Sequence, residues 1–143
     1  MMDTPEWEII RIGPLTLRYF NDGRATPGGL DCFEFTVPPQ TRGSSLHYHR
    51  DVDELVYGVE GRVTFIVDGE DRVIGPRGFT RIPRGAVHGF SNRHDELAVV
   101  LSVLSPGTIG AAYFREMAAL LASGAPEPAA VAAVMTKHGL IPV

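Results

Sequence analysis

The sequence predicts an all-β sandwich or barrel followed by a C-terminal pair of α-helices. Three observations carry that reading. Between Leu15 and Leu104, short apolar runs with alternating residues are separated by turns rich in Gly, Pro, Asn and Asp. No helical spacing interrupts that stretch, which argues against alternating strand–helix units. After Ser105-Pro106-Gly107 the chain turns alanine-rich and its apolar spacing becomes helical.

The strands follow in order. Leu15, Leu17 and Tyr19 alternate with Thr16 and Arg18, and the run stops at the turn signal Asn21-Asp22-Gly23. Phe33, Phe35 and Val37 share one face of the next strand, which ends at Pro38-Pro39; that face points inward and leaves Cys32 and Glu34 outward. Leu55 to Val59 is strand-like and meets Glu60-Gly61. Val63, Phe65 and Val67 run into Asp68-Gly69, a two-residue hairpin signal, and Val73-Ile74 returns. Thr80 to Ile82, His88 to Ser91 and Leu97 to Leu104 complete about nine strands.

In the tail, Tyr113, Met117, Leu120 and Leu121 recur at helical spacing between Ala111 and Ser123, with Phe114 on the same broad stripe. Gly124-Ala125-Pro126 breaks this helix. A second begins near Pro128, a residue suited to a first turn, and runs through Val131, Val134 and Met135 to a stop at Gly139. Helices this short do not stand alone, so their stripes must pack on the barrel or on a partner. The expected organisation is one domain over residues 1–143, with the barrel at about 15–104 and the helical tail at about 108–139.

A chain of 143 residues buries a substantial core without covalent staples. The single cysteine, Cys32, excludes an internal disulfide framework and a cysteine-based zinc finger. Net charge is −4 and the 13 basic residues are scattered, so nucleic acid is not an expected partner. The tail helices also lack the basic pattern of a recognition helix. No apolar stretch approaches the roughly 20 residues that span a bilayer, so no membrane partner is expected. Met1 to Trp7 carries Asp3, Pro5 and Glu6 with no basic start, unlike a signal peptide, and a cytoplasmic, reduced setting is expected.

The chemistry lies in the strand region. His47 and His49 are two residues apart, so in an extended strand both imidazoles leave one face and Tyr48 leaves the other. Asp53-Glu54 opens the next strand, and a strand–turn–strand return can bring one carboxylate beside the two imidazoles. His88 follows the turn Pro83-Arg84-Gly85-Ala86-Val87, and Phe90 shares its face. Three neutral imidazoles and a carboxylate suit a divalent first-row metal. Taken singly, each residue has an ordinary explanation: an edge-strand face for the histidine pair, a solvated acidic loop for Asp51, Asp53 and Glu54, a core position for His88. Their joint spacing is much harder to reach by accident. His94, in the loop Asn92-Arg93-His94-Asp95-Glu96, reads as solvated, and His138 reads as a structural residue at a helix C-terminus.

That spacing resembles the cupin superfamily. The first cupin motif, H-x-H followed by a glutamate and a glycine, stands here as His47-Tyr48-His49, four residues, Glu54, six residues, Gly61. The core of the second motif, P-x-G-x-x-H-x-x-x-N, matches Pro83, Gly85, His88 and Asn92. Two positions depart from the pattern: Thr41 replaces the glycine before the first histidine, with Gly43 nearby, and Arg77-Gly78 replaces a Gly-Asp pair. The resemblance spans roughly Leu30 to Leu104. It implies that His47, His49, Glu54 and His88 bind one divalent transition metal (Fe, Ni, Mn, Zn or Cu) inside a cupin-type barrel.

Among small cupins the chain looks most like quercetin-dioxygenase-like monocupins, and the helical tail adds to that likeness. The resemblance implies a metal-dependent dioxygenase for a flavonol-like or other enolisable small molecule, with Glu54 as proton acceptor. Cupin isomerases, cyclases and decarboxylases use the same parts without dioxygen, and a non-catalytic metal- or ligand-binding module is the alternative from another class. A homodimer is expected by the same resemblance.

Overall fold

The computed structural model describes residues 7–26 and 29–143; the reading of Met1 to Glu6 falls outside them. The described chain forms β1 (Glu8–Ile12), β2 (Leu15–Asn21), β3 (Asp31–Val37), β4 (Thr41–His49), β5 (Asp53–Glu60), β6 (Val63–Val67), β7 (Glu70–Ile74), β8 (Phe79–Ile82), β9 (His88–Asn92) and β10 (Ala98–Ser105), then α1 (Gly110–Ala122), α2 (Pro128–Lys137) and β11 (Leu140–Pro142). Two antiparallel sheets face each other, in the orders β1-β2-β3-β10-β5-β8 and β11-β4-β9-β6-β7. This is a jelly-roll barrel with a helical pair after its tenth strand.

Alternation decides what lies between the sheets. Leu15, Leu17 and Tyr19 of β2, Phe33, Phe35 and Val37 of β3, and Val56 of β5 are all buried, as the period of two requires. Phe33 and Phe35 do point inward, and Cys32 and Glu34 are half-buried on the other side. The β6–β7 hairpin turns through Asp68 and Gly69, both left-handed at φ 47° and 83°, which matches the right-handed twist of its strands. Gly61, at φ 62°, turns β5 into β6, and a side chain there would strike the Leu97 carbonyl.

The sequence reading missed two strands. Ile10 and Ile12 of β1 are buried and flank the exposed Arg11, but the adjoining Ile9 is 48% exposed, and this apolar residue on the outer face blurs the alternation. Three-residue β11 has almost no local signal and exists by pairing with β4 (Leu140 opposite His49, Ile141 opposite Tyr48). Tyr48 therefore leaves the barrel interior as expected but is half-covered by the chain's own last strand.

The helices lie close to their predicted bounds and pack on the barrel. Phe114 of α1 stands against Tyr19, Phe33 and Phe35 at ring-centroid distances of 5.7, 5.0 and 6.2 Å. The fully buried Asp31 carboxylate accepts the Gly23 and Gly110 amides at 2.8 and 3.0 Å, holding the start of α1 to the β2–β3 turn. Between the helices, Glu116 accepts from Lys137 at 3.0 Å and lies 2.7 Å from His138 Nε2. His138 thus has the structural place expected of it, at the C-terminus of α2, with its ring engaged by α1.

Candidate metal centre

β4 and β9 are neighbours in one sheet, and their register places His47 directly opposite His88. His49 follows two residues along the same inward face. All three imidazoles are buried, with ring centroids 4.5 Å (His47–His88), 4.7 Å (His49–His88) and 5.2 Å (His47–His49) apart. Each offers one ligand nitrogen, and these atoms lie within 4.8 Å of one another, so the three histidines could hold a metal ion. Glu54 arrives from β5 in the opposite sheet: its Oε2 is 3.4 Å from His88 Nε2 and 3.9 Å from His49 Nδ1. The cluster therefore bridges the two sheets across the barrel interior.

Local hydrogen bonds hold this arrangement. Asp53, at the start of β5, accepts the Arg84 amide at 2.9 Å and its guanidinium at 3.1 Å. Gly85 donates its amide to the His49 carbonyl at 2.9 Å. The turn before β9 is thereby tied both to the strand carrying Glu54 and to the strand carrying His47 and His49. Asn92, at the far end of β9 and fully buried, donates to the carbonyls of Val37 and Glu96 and accepts the His94 amide. That folding of the loop corrects one expectation: His94 is half-buried, with Nε2 enclosed, rather than solvated.

The donor set fits a cation. His47 and His88 donate Nδ1–H to the carbonyls of Ser45 and Ala86, at 2.8 and 2.9 Å, which makes Nε2 the ligand atom of each ring: free in neutral His47, and freed in His88 when Nε2 gives up the proton it shares with Glu54. His49 Nδ1 is enclosed and has no hydrogen-bond partner among the described residues, a cost that a bound metal would remove. Burial holds His47 and His49 neutral, with pKa values pushed down to about 4. For Glu54 burial works toward the neutral acid, but the hydrogen bond from His88 and the adjoining imidazoles outweigh it and hold the carboxyl below its usual range. His88 shows the reverse balance: burial disfavours its charge, and the hydrogen bond and charge of Glu54 raise its pKa.

Sequence reasoning missed Ser102 and Ser44. Ser102 is fully buried on β10 and donates to Glu54 Oε1 at 3.1 Å; its signal was a lone hydroxyl in the inward row Ala98, Val100, Ser102, Leu104. Ser44 lines the same cavity as His47 despite opposite parity, because the β4–β9 register shifts between Ser44 and His47. The cavity, about 80 Å³, is otherwise walled by apolar groups including Phe33, Phe65, Phe90 and Leu104. Phe90 lies there as its parity with His88 predicts.

A family model described as a cupin domain matches residues 33–104. No curated protein matches the sequence. Among solved structures, the chain is similar to the polyketide cyclase RemF of Streptomyces resistomycificus at 25% identity and a TM-score of 0.59, covering 73% of this chain and 79% of that one. It is similar to a predicted oxalate decarboxylase of Thermotoga maritima at 19% identity and a TM-score of 0.62, covering 73% and 97%. It is also similar to a sugar phosphate isomerase of Silicibacter pomeroyi at 22% identity and a TM-score of 0.60, covering 71% of each chain. The last two are likenesses of fold.

Proposed function

Since the chain belongs to the cupin family, we propose that it is a metal-dependent enzyme for an enolisable small molecule, with His47, His49, Glu54 and His88 as ligands of one divalent transition metal. The observation that carries this reading is the carboxyl group of Glu54, buried among three imidazoles and lining an otherwise largely apolar cavity. A carboxylate in such a place is costly unless a cation or a reaction uses it. A bound metal would supply Lewis acidity, lowering the pKa of a hydroxyl or enolisable position on the substrate.

The rest is done by the protein. Ser102 fixes Glu54 Oε1, so Oε2 is the oxygen directed at the imidazoles. A carboxylate with one oxygen so held is a candidate to take a proton from a substrate oxygen or carbon above it. The aromatic walls keep bulk water from that exchange. A dioxygenase acting on a flavonol-like substrate is the specific form proposed. The cyclase and isomerase among the similar folds favour a second form, in which the same proton transfer proceeds without dioxygen.

The test is turnover per bound metal in the wild type and in Glu54→Gln, in air and under strict anaerobiosis, with a flavonol and other enolisable aromatics as substrates. Losing a general base typically costs about 10²–10⁴ in rate. A dioxygenase loses activity in the variant and without oxygen, whereas an isomerase or cyclase loses it only in the variant. Full per-metal activity in Glu54→Gln removes the proton-acceptor role, and no metal-dependent turnover by the wild type leaves a binding module.

A cytoplasmic setting accords with the free thiol of Cys32. The proposal includes a homodimer through the outer face of β5 and β8, where Leu55, Tyr57, Val59 and Phe79 are exposed side by side. Tyr57→Asp should then halve the mass measured in solution.

A further inference from the structure

The cavity at the histidine cluster shares part of its wall with a second one. Ser44, His47, Phe90, Tyr113 and Phe114 border both it and a second chamber of about 180 Å³. The outer wall of that chamber is the helical pair, through Met117 and Leu121 of α1 and Val131 and Met135 of α2. Ile12 and Leu15 close it on the barrel side.

Building on the reading of the cluster as a reaction centre, we infer that this chamber seats the body of the substrate: an uncharged aromatic group of one or two fused rings, or a short acyl chain, whose oxygen-bearing end reaches the inner cavity. Size is the first argument. An apolar cavity of roughly 150 Å³ accepts one benzene ring, so adjoining cavities of about 180 and 80 Å³ suit a compact aromatic of one or two fused rings with its polar end in the inner cavity.

Charge is the second. Among the described residues, the chamber lining contains no Asp, Glu, Lys or Arg. A phosphate or a second carboxylate lodged there would be buried without a counter-charge, at a heavy cost. Polyanionic substrates such as sugar phosphates and oxalate are thereby disfavoured, although proteins of similar fold carry those names.

The third is an unused polar atom at the junction. Ser44 Oγ is buried, has no hydrogen-bond partner among the described residues and borders both cavities. Buried hydroxyls are rarely left unmatched, and this one is placed to bond an oxygen substituent on a ring passing from chamber to cluster. The neighbouring Gly43 contributes by omission: any side chain there would collide with the Phe90 ring, which forms part of the shared wall. Met117 and Met135 add a wall that adapts to ligand shape.

The test titrates the full-length protein calorimetrically with 2-naphthol, with oxalate and glucose 6-phosphate as charged competitors. We expect 2-naphthol to bind and neither competitor to displace it at tenfold excess. Val131→Trp and Leu121→Trp, both at half-buried positions, should each weaken 2-naphthol binding at least tenfold while melting temperature and metal content stay at wild-type values. Two variants are used so that a fold defect in one leaves the other informative. Unchanged affinity in a folded variant overturns the inference, as does displacement of 2-naphthol by oxalate. Elemental analysis of the same samples reads the metal separately. A metal-free wild type that still binds 2-naphthol in a Val131-sensitive way would count against the reaction centre and not against the chamber.

Discussion

Ser102 Oγ donates to Glu54 Oε1 at 3.1 Å, joining the inward faces of two adjacent strands, β10 and β5, beneath the histidine cluster. The two oxygens of Glu54 are thus differentiated. One is held by a hydroxyl, and the other faces His88 and His49. A carboxylate free to rotate would share its charge over several positions, whereas this one presents Oε2 to the imidazoles.

Ser102→Ala should therefore act on Glu54 without touching the imidazoles. A buried hydrogen bond to a charged group contributes about 1.5–3 kcal/mol, and a loss of that order in unfolding free energy is expected, measured by denaturant titration. Metal content should stay near that of the wild type, while turnover per metal falls and its pH profile shifts. Ser102→Thr, which restores the hydroxyl, should recover most of the profile. If Ser102→Ala and the wild type share one pH profile, Ser102 is a packing residue only.

Acid sensitivity of the metal-free protein provides a second check. In the fold His47 and His49 have pKa values near 4, below the ordinary 6.5 of a histidine. Between those values the unfolded chain binds more protons than the folded one, so stability falls as pH drops through this window and is fully present above it. The raised pKa of His88 acts in a different window: its contribution is present below 6.5 and lost as pH climbs through its folded value. Glu54, with its pKa lowered from 4.5, loses its contribution only at still lower pH. The slope between pH 4 and 6.5 is then set by His47 and His49, with a ceiling of about 1.4 kcal/mol per pH unit for each. Melting temperatures of the stripped protein should decline across that range, and the double variant His47→Asn with His49→Asn should flatten the decline. Metal added near neutral pH should raise the melting temperature and lose its effect on acidification, because protonated imidazoles do not ligate. A flat profile in the stripped wild type would contradict the burial-driven neutrality of the two rings.

Much of this site was legible in the sequence because its parts are local. His47 and His49 share a face by alternation alone, and the turn Pro83–Val87 aims His88 whatever the rest of the chain does. Glu54 became specific only through the motif spacing, since Asp51 and Asp53 are equally acidic neighbours. What escaped notice depended on distant partners or on broken rules. Ser44 was hidden by a register shift that reverses its parity. Ser102 matters because β10 lies beside β5, a neighbour nearly fifty positions away in the chain, as the separation of 48 between Ser102 and Glu54 records. β11 has no propensity of its own and is made by the open edge of β4. The helical stripes were plain, but apolar spacing could not say that α1 and α2 would wall a chamber next to the cluster.

That last relationship can be tested by removing the tail. Cutting the chain after Pro106 deletes α1, α2 and β11 together. Three consequences should follow at once. Tyr19, Phe33 and Phe35 lose the Phe114 ring that covers them. Asp31 loses the Gly110 amide, one of the two donors that match its buried carboxylate. β4, which carries His47 and His49, becomes an unpaired edge. A freshly exposed apolar face beside a bare strand edge favours association, so the shortened protein should aggregate, bind a hydrophobic dye and retain less metal. Phe114→Ala is the milder version: truncating a buried phenylalanine typically costs about 3–5 kcal/mol, and the ring-bearing wall of both cavities would recede with it. It should lower the melting temperature while the protein stays soluble, because β11 still covers β4. If the shortened chain remains monodisperse with wild-type melting and metal content, the helices are an appendage and the barrel completes its site without them.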